Sequence, residues 1–246
     1  MRAFAVIPAR YASSRYPGKP LVPILDVPMV IRVARIAAQA LGVERTAVAT
    51  EDERIARVVE QAGFRAVMTS DRCLTGTDRL AEAAALLEAD AIINVQGDEP
   101  MLDPQVITRV VTAHAERPDI IHNAMAVVGA EEDVHSVNLP KVITTETGRL
   151  VYMSRRALPG FKDEKVAPAR YMKQVCVYSF SPWHLAAFAA FGRKSTLERS
   201  EDIEILRFLD LGIPVQMVEV AGGSLAVDVP SDVEKVEAAM RARGLA

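Results

Sequence analysis

Phe4-Ala5-Val6-Ile7 runs straight into Pro8-Ala9-Arg10-Tyr11-Ala12-Ser13-Ser14-Arg15-Tyr16-Pro17-Gly18-Lys19-Pro20. The uninterrupted apolar run reads as a buried strand, the first element of the chain. The following loop is rich in small residues and carries Arg10, Arg15 and Lys19. In open α/β sheets, ligands bind beyond the carboxyl ends of the strands, where such a loop sits. Small residues let backbone N–H groups approach an anion, and the cations neutralise it. The stretch is therefore a candidate triphosphate cradle. It is not a Walker loop, because Pro20 follows Lys19 and only one glycine is present. Proline disfavours the helical conformation at the residue before it, so Lys19 is expected to be extended. An ordinary basic surface loop is the competing reading.

Outward from this stretch, helical and strand patterns alternate. Helical spacing covers residues 28–41, 52–62, 78–87 and 103–117, and apolar strands fall at 45–50, 66–68 and 91–95. This order predicts a mainly parallel sheet with helices on both faces. Residues 120–180 are richer in β pieces, at 125–128, 141–144 and 175–178, with an exposed excursion at 159–168. Helices at 182–191, 201–211 and 231–243 and a strand at 214–220 complete the reading. One domain over 1–246 is expected, with about 120–180 forming a small lobe.

Composition narrows the function. Half of the 246 residues are hydrophobic and 25% charged, as in a globular protein with a substantial core. A formal net charge of −3 argues against a nucleic-acid surface. Cys73 and Cys176 are too few for a disulfide framework and lack an activating neighbour, and the four histidines are scattered. The first apolar run is too short for a secretory signal, and none approaches membrane-spanning length. A soluble cytoplasmic protein is the expectation.

Val95-Gln96-Gly97-Asp98-Glu99-Pro100 also follows a buried strand, with Gly97 permitting a tight turn before Asp98. A carboxylate beside a triphosphate cradle suits Mg²⁺, which is held by one or two carboxylates plus substrate phosphates. Asp228, in Leu225-Ala226-Val227-Asp228-Val229-Pro230, is a second such aspartate. Read alone, it is a helix N-cap device.

Together these motifs closely resemble the 3-deoxy-manno-octulosonate cytidylyltransferases, the CMP-Kdo synthetases of surface-polysaccharide synthesis. Met68-Thr69-Ser70, Gly76-Thr77-Asp78-Arg79 and Tyr152-Met153-Ser154-Arg155 add to the likeness, which spans nearly the whole chain. The resemblance implies a Rossmann-like nucleotidyltransferase fold with a β-rich substrate or dimerisation lobe, CTP and Mg²⁺ as co-reactants, and a homodimer. It implies that Arg10 and Lys19 bind the triphosphate, with Ala9, Tyr11, Ala12 and Ser13 closing around the nucleotide. Thr69, Ser70, Thr77 and Arg79 are expected to frame the cytosine and ribose, and Asp98 and Asp228 to hold Mg²⁺. Gln96, Arg155, Gln174, Tyr178 and Glu204 are expected to line the sugar-acid pocket.

Two positions depart from the family pattern. Gln174 stands where the family has a histidine, and Ile205 where it has a glutamine beside Glu204. Both are expected on the acceptor side, so they bear on which sugar acid is preferred. Glu198, Glu201 and Asp202 read as a solvated helix face, Trp183 as core or interface, and Arg156 as structural. Competing readings are a sialic-acid or other nonulosonate cytidylyltransferase and a catalytically silent nucleotide-binding regulator. A glycosyltransferase is disfavoured because no Asp-x-Asp motif follows a strand.

Overall fold

The computed structural model describes residues 1–12 and 16–245. Ser13 and Arg15 lie outside the described residues. The opening stretch forms β1 (Ala3–Ala9), whose side chains are almost all buried. A short hairpin, β2 (Pro23–Ile24) and β3 (Val27–Pro28), leads into α1 (Met29–Leu41). The buried face of α1 is set by Val30, Val33, Ala34, Ala37 and Leu41, spaced three and four apart. β4 (Thr46–Thr50), α2 (Glu53–Gln61), β5 (Arg65–Met68), α3 (Gly76–Leu86), β6 (Ala91–Val95) and α4 (Pro104–Glu116) continue the alternation. Asp52, Thr75 and Asp103 cap α2, α3 and α4 by accepting from backbone N–H groups of the first turn.

Next come β7 (Ile121–Val127), β8 (Lys141–Thr144), β9 (Leu150–Ser154), β10 (Met172–Phe180), α5 (Pro182–Ala190), α6 (Thr196–Glu201), α7 (Leu206–Asp210), β11 (Val215–Glu219) and α8 (Ser231–Ala242). The main sheet runs β11-β7-β10-β6-β1-β4-β5. All its pairings are parallel except those of β10, which is antiparallel to both β6 and β7. Residues 120–180 thus contribute β7 and β10 to this sheet, while β8 and β9 extend from its margin. One apolar cluster packs α1, α2 and α4 on one face; another packs α3, α5 and α7 on the other. A third, smaller cluster joins Ile24, Met29 and Met101 to Val227, Val236 and Met240. It anchors the C-terminal segment beside the β1 loop.

Several expectations are corrected here. The helix expected over 201–211 is two helices, because Asp202 adopts a left-handed backbone at φ 52°. That break lets Glu204 reach α3 and lets Arg207 fold back onto Glu198. Glu198 is not on a solvated face: it is fully buried, and its carboxylate accepts from Arg207 and from the Ser195 amide. Glu201 accepts from the Ser154 hydroxyl and the Arg155 amide. Trp183 is 51% exposed and lies against the His184 ring, which corrects the core half of its reading only.

The scattered histidines converge in space. His114, His122 and His184 are all buried, and the His114 and His122 rings meet edge to face at 5.8 Å. His184 Nδ1 accepts from the Ser181 amide, closing the first turn of α5. Burial, then the neighbouring imidazole of His114 and the Arg117 guanidinium, pushes His122 down to about 4. Burial likewise pushes His184 to about 4, opposed by Asp119, and lowers His114, opposed by a backbone hydrogen bond at Ile120. Unfolded histidine titrates near 6.5, so between pH 6.5 and about 4 the unfolded chain binds more protons. Stability contributed by these groups is present above that window and lost as pH falls through it. Melting temperature is expected to drop steeply over this range, and His122→Phe should flatten the drop. A wild-type melting temperature that stays level from pH 6.5 to 4.5 would refute this account.

Candidate active site

The site lies beyond the carboxyl ends of β1 and β6, where Arg10, Lys19, Gln96 and Asp98 line one cleft. Lys19 comes from the loop after β1. Contrary to the extended expectation, it opens a 3₁₀ turn over Lys19–Leu21. Gly18 precedes it at φ 72°, and the Leu21 and Val22 amides donate to Gly18 O and Lys19 O. These bonds offset the local restriction imposed by Pro20.

Lys19 Nζ lies 2.9 Å from Asp98 Oδ2 and 4.0 Å from Asp228 Oδ1, and donates to Val227 O at 3.0 Å. Asp98 follows β6. Gly97 adopts no left-handed backbone but sits close to β1: an added Cβ would stand 3.2 Å from Ile7 Cγ2, tighter than ordinary contact. Asp228 is carried alongside by a backbone bond from Val227 N to Asp98 O, 2.9 Å long. The capping reading for Asp228 does not hold, since α8 has Pro230 at its N-cap with no side-chain cap. Asp232 instead accepts from the Asp228 and Val229 amides.

Two adjoining clefts meet at this cluster. The first, of about 340 Å³, is lined by Ala9, Arg10, Lys19, Arg79, Gln96 and Asp98 among others. The second, of about 390 Å³, is lined by Gln96, Asp98, Arg155, Gln174, Tyr178 and Asp228 among others. Gln96, Asp98, Asp202 and Glu204 line both. The shared wall would bring a ligand in one cleft against a ligand in the other.

The expected nucleotide residues divide between lining and support. Ala9, Arg10, Lys19 and Arg79 line the first cleft, whereas Tyr11, Ala12, Thr69, Ser70 and Thr77 do not. Thr69 Oγ1 accepts from Arg79, which also pairs with Glu51 at 2.8 Å. Glu51 accepts from the Tyr11 amide as well, at 3.0 Å, tying the cradle loop to Arg79. The Ser70 hydroxyl accepts from the Arg72 amide, and Thr77 is buried in the first turn of α3. Tyr11 lies beneath the Arg54 guanidinium.

On the acceptor side, Gln96, Arg155, Gln174, Tyr178 and Glu204 all line the second cleft. The Arg155 guanidinium, however, donates to three backbone carbonyls, those of Val137, Glu201 and Asp202. It shapes the rim more than it offers free donors. The fully buried Lys141 supports the same rim through Ser136 O and Arg155 O. Gln174 Nε2 donates to Asn123 Oδ1 at 3.0 Å. Glu204 accepts from the Gly76 and Thr77 amides at 3.1 and 2.7 Å, so its charge faces the positive end of α3. Ile205 does not reach the cleft: it is 1% exposed, in the core beneath. Glu99, Asp202, Asn138 and Lys194 are lining residues that sequence reasoning missed. Glu99 directly follows Asp98, the one local signal for it. Burial, then the Asp98 charge, raises the Glu99 carboxyl. Burial also holds the thiols protonated, Cys73 at about 11 and Cys176 well above its ordinary value, in keeping with inert cysteines.

In sequence and in overall fold the chain is similar to a known group of enzymes. A cytidylyltransferase family model matches residues 4–214. A 3-deoxy-manno-octulosonate cytidylyltransferase from Trichlorobacter lovleyi is 41% identical, covering 98% of this chain and 99% of that protein. The chain belongs to the 3-deoxy-manno-octulosonate cytidylyltransferase family. A mitochondrial member from Arabidopsis thaliana is 37% identical over 99% of this chain and 85% of its own length. The solved structure of CMP:2-keto-3-deoxy-manno-octonic acid synthetase complexed with CTP superposes on this family member with a TM-score of 0.91. Its identity is 35%, and the match covers 99% of this chain and 100% of that one. The inositol-1-phosphate CTP transferase of T. maritima shares the Rossmann-like nucleotidyltransferase fold, with a TM-score of 0.69 at 17% identity, 100% of this chain and 98% of that one being covered. No helix among the described residues is long and apolar enough to cross a membrane.

Proposed function

We propose that this chain transfers CMP from CTP to 3-deoxy-manno-octulosonate or a close 2-keto-3-deoxy analogue, releasing pyrophosphate. The observation that carries this reading is the pair of clefts meeting at Asp98, in a chain of this family. CTP would occupy the cleft of Arg10, Lys19 and Arg79, and the sugar acid that of Gln96, Gln174 and Tyr178. Attack of the anomeric hydroxyl on the α-phosphate forms the new P–O bond as the Pα–O bond to the β-phosphate breaks, with the hydroxyl proton passing to solvent and pyrophosphate leaving. Holding both reactants across one shared wall removes much of the entropic barrier. Arg10 and Lys19 stabilise the charge that develops on the leaving pyrophosphate.

The residues present fit Mg²⁺. Asp98 and Asp228 converge on one cation, the Lys19 ammonium, and the remaining ligands of Mg²⁺ usually come from water and substrate phosphates. Asp98 and Asp228 would hold the ion, and the chemistry it would supply there is neutralisation of phosphate charge. A homodimer in the cytoplasm is part of the proposal. Val137, Val151, Phe161 and Val166 are exposed apolar side chains available for burial, and sedimentation equilibrium tests the association.

The decisive assay combines CTP, Mg²⁺ and either the octulosonate or sialic acid, and follows pyrophosphate and CMP-sugar. Product with the octulosonate supports the proposal; product with sialic acid alone assigns the nonulosonate reading; no product with either supports a silent binder. Acceptor preference tests Gln174. Histidine can become cationic where glutamine stays neutral, so Gln174→His is expected to change the ratio of kcat/KM between the octulosonate and its 8-amino analogue. Ile205→Gln is expected to lower melting temperature without changing that ratio, because it buries an amide in the core. The opposite pattern would overturn the placement of specificity at position 174.

A further inference from the structure

Lys19 faces both of the aspartates that the proposed function assigns to a divalent cation. Its ammonium is 2.9 Å from Asp98 Oδ2 and 4.0 Å from Asp228 Oδ1. Its side chain is only 16% exposed and each aspartate's 27%, so water screens this cluster less than a surface pair. The backbone bond between Val227 and Asp98 holds the two carboxylates close, where they repel each other unless a cation intervenes. Among the described residues, no group of three or more His, Cys, Asp and Glu side chains could hold a metal ion. A free divalent ion therefore meets two protein carboxylates that already face an ammonium. It gains few ligands in exchange for its water and must displace a positive charge.

A bound triphosphate changes this balance. Its oxygens give the ammonium a more strongly charged partner and give the ion its missing ligands. Lysine suits such a movement, being a compact charge on a flexible four-carbon stem. Resting on the cytidylyl-transfer reading, we propose that Lys19 is a metal gate. Its ammonium keeps Asp98 and Asp228 converged and excludes a divalent cation until the triphosphate of CTP draws it away. Metal and nucleotide then enter together.

The test needs no turnover. Mn²⁺ is titrated into nucleotide-free protein, and free ion is read by electron paramagnetic resonance. Wild type is expected to bind weakly, and Lys19→Met to bind about tenfold more tightly, a change of about 1.4 kcal/mol. Lys19→Arg, which keeps the charge, should bind as weakly as wild type. Adding Asp98→Asn to Lys19→Met should abolish the gain. Circular dichroism confirms that each variant is folded. Equal or weaker Mn²⁺ binding by Lys19→Met overturns the gate, as does a gain that survives Asp98→Asn. Failure of the functional reading shows elsewhere, as wild type releasing no pyrophosphate with CTP and sugar acid.

Discussion

Asp98→Asn is expected to lower CMP-sugar formation by about 10²- to 10³-fold, the scale seen when one preorganised electrostatic contact is removed. The carboxylate stands on the wall shared by the two clefts, facing Lys19 at 2.9 Å. Asparagine keeps its volume and removes its charge, so the substitution takes away the proposed Mg²⁺-holding charge and little packing. The Asp98 carbonyl still accepts from Val227 N, a bond no side-chain change removes. Melting temperature should therefore stay close to wild type while turnover collapses. The measurement pairs a pyrophosphate-release assay with thermal melts followed by circular dichroism. Near-wild-type turnover would remove Asp98 from the metal site. Lost turnover with a large fall in melting temperature would mark it as structural.

The largest effect on stability is expected at Arg207. This guanidinium is fully buried, donates twice to Glu198 at 2.7 Å, and meets Asp78 at 2.9 Å. It also lies 3.5 Å above the Phe188 ring. Arg207→Leu leaves the Glu198 carboxylate buried without its counter-charge, at a cost of about 3–5 kcal/mol. For a chain of this length that corresponds to a fall of roughly 10 °C in melting temperature. The double variant Glu198→Gln/Arg207→Leu should lose less than the single one, because the stranded charge is gone. A single variant within 2 °C of wild type, to order of magnitude no loss at all, would show that water reaches the pair.

Much of this molecule is legible one segment at a time. The apolar runs of β1 and β6, the three-and-four spacing of α1 and the caps Asp52, Thr75 and Asp103 each lie within a few residues of what they specify. The chemistry-bearing loops are equally local, since each directly follows a strand whose end must face the ligand. Arg10, Lys19 and Asp98 could therefore be named from the chain alone, whereas Asp228, which read alone as a helix cap and lies well past the end of β11, was named only through the family resemblance. The structure then brought Lys19, Asp98 and Asp228 together.

What the sequence by itself could not decide depends on partners far away in the chain. Glu198, Glu201 and Glu204 look alike in a charged run, yet one is buried against Arg207, one fastens Ser154, and one caps α3. Asp78 and Arg207 meet across 129 residues. The antiparallel insertion of β10 between β6 and β7, which carries Gln174 and Tyr178 to the second cleft, leaves no periodic mark of its own. Burial of Ile205 and convergence of His114, His122 and His184 are equally silent in one dimension. Hydrophobic period and turn chemistry act over one or two turns of chain, so they determine the elements and the loops at their ends. Desolvation and charge pairing act through space, so only the packed tertiary structure decides which carboxylate is solvated, which is buried and which faces a substrate.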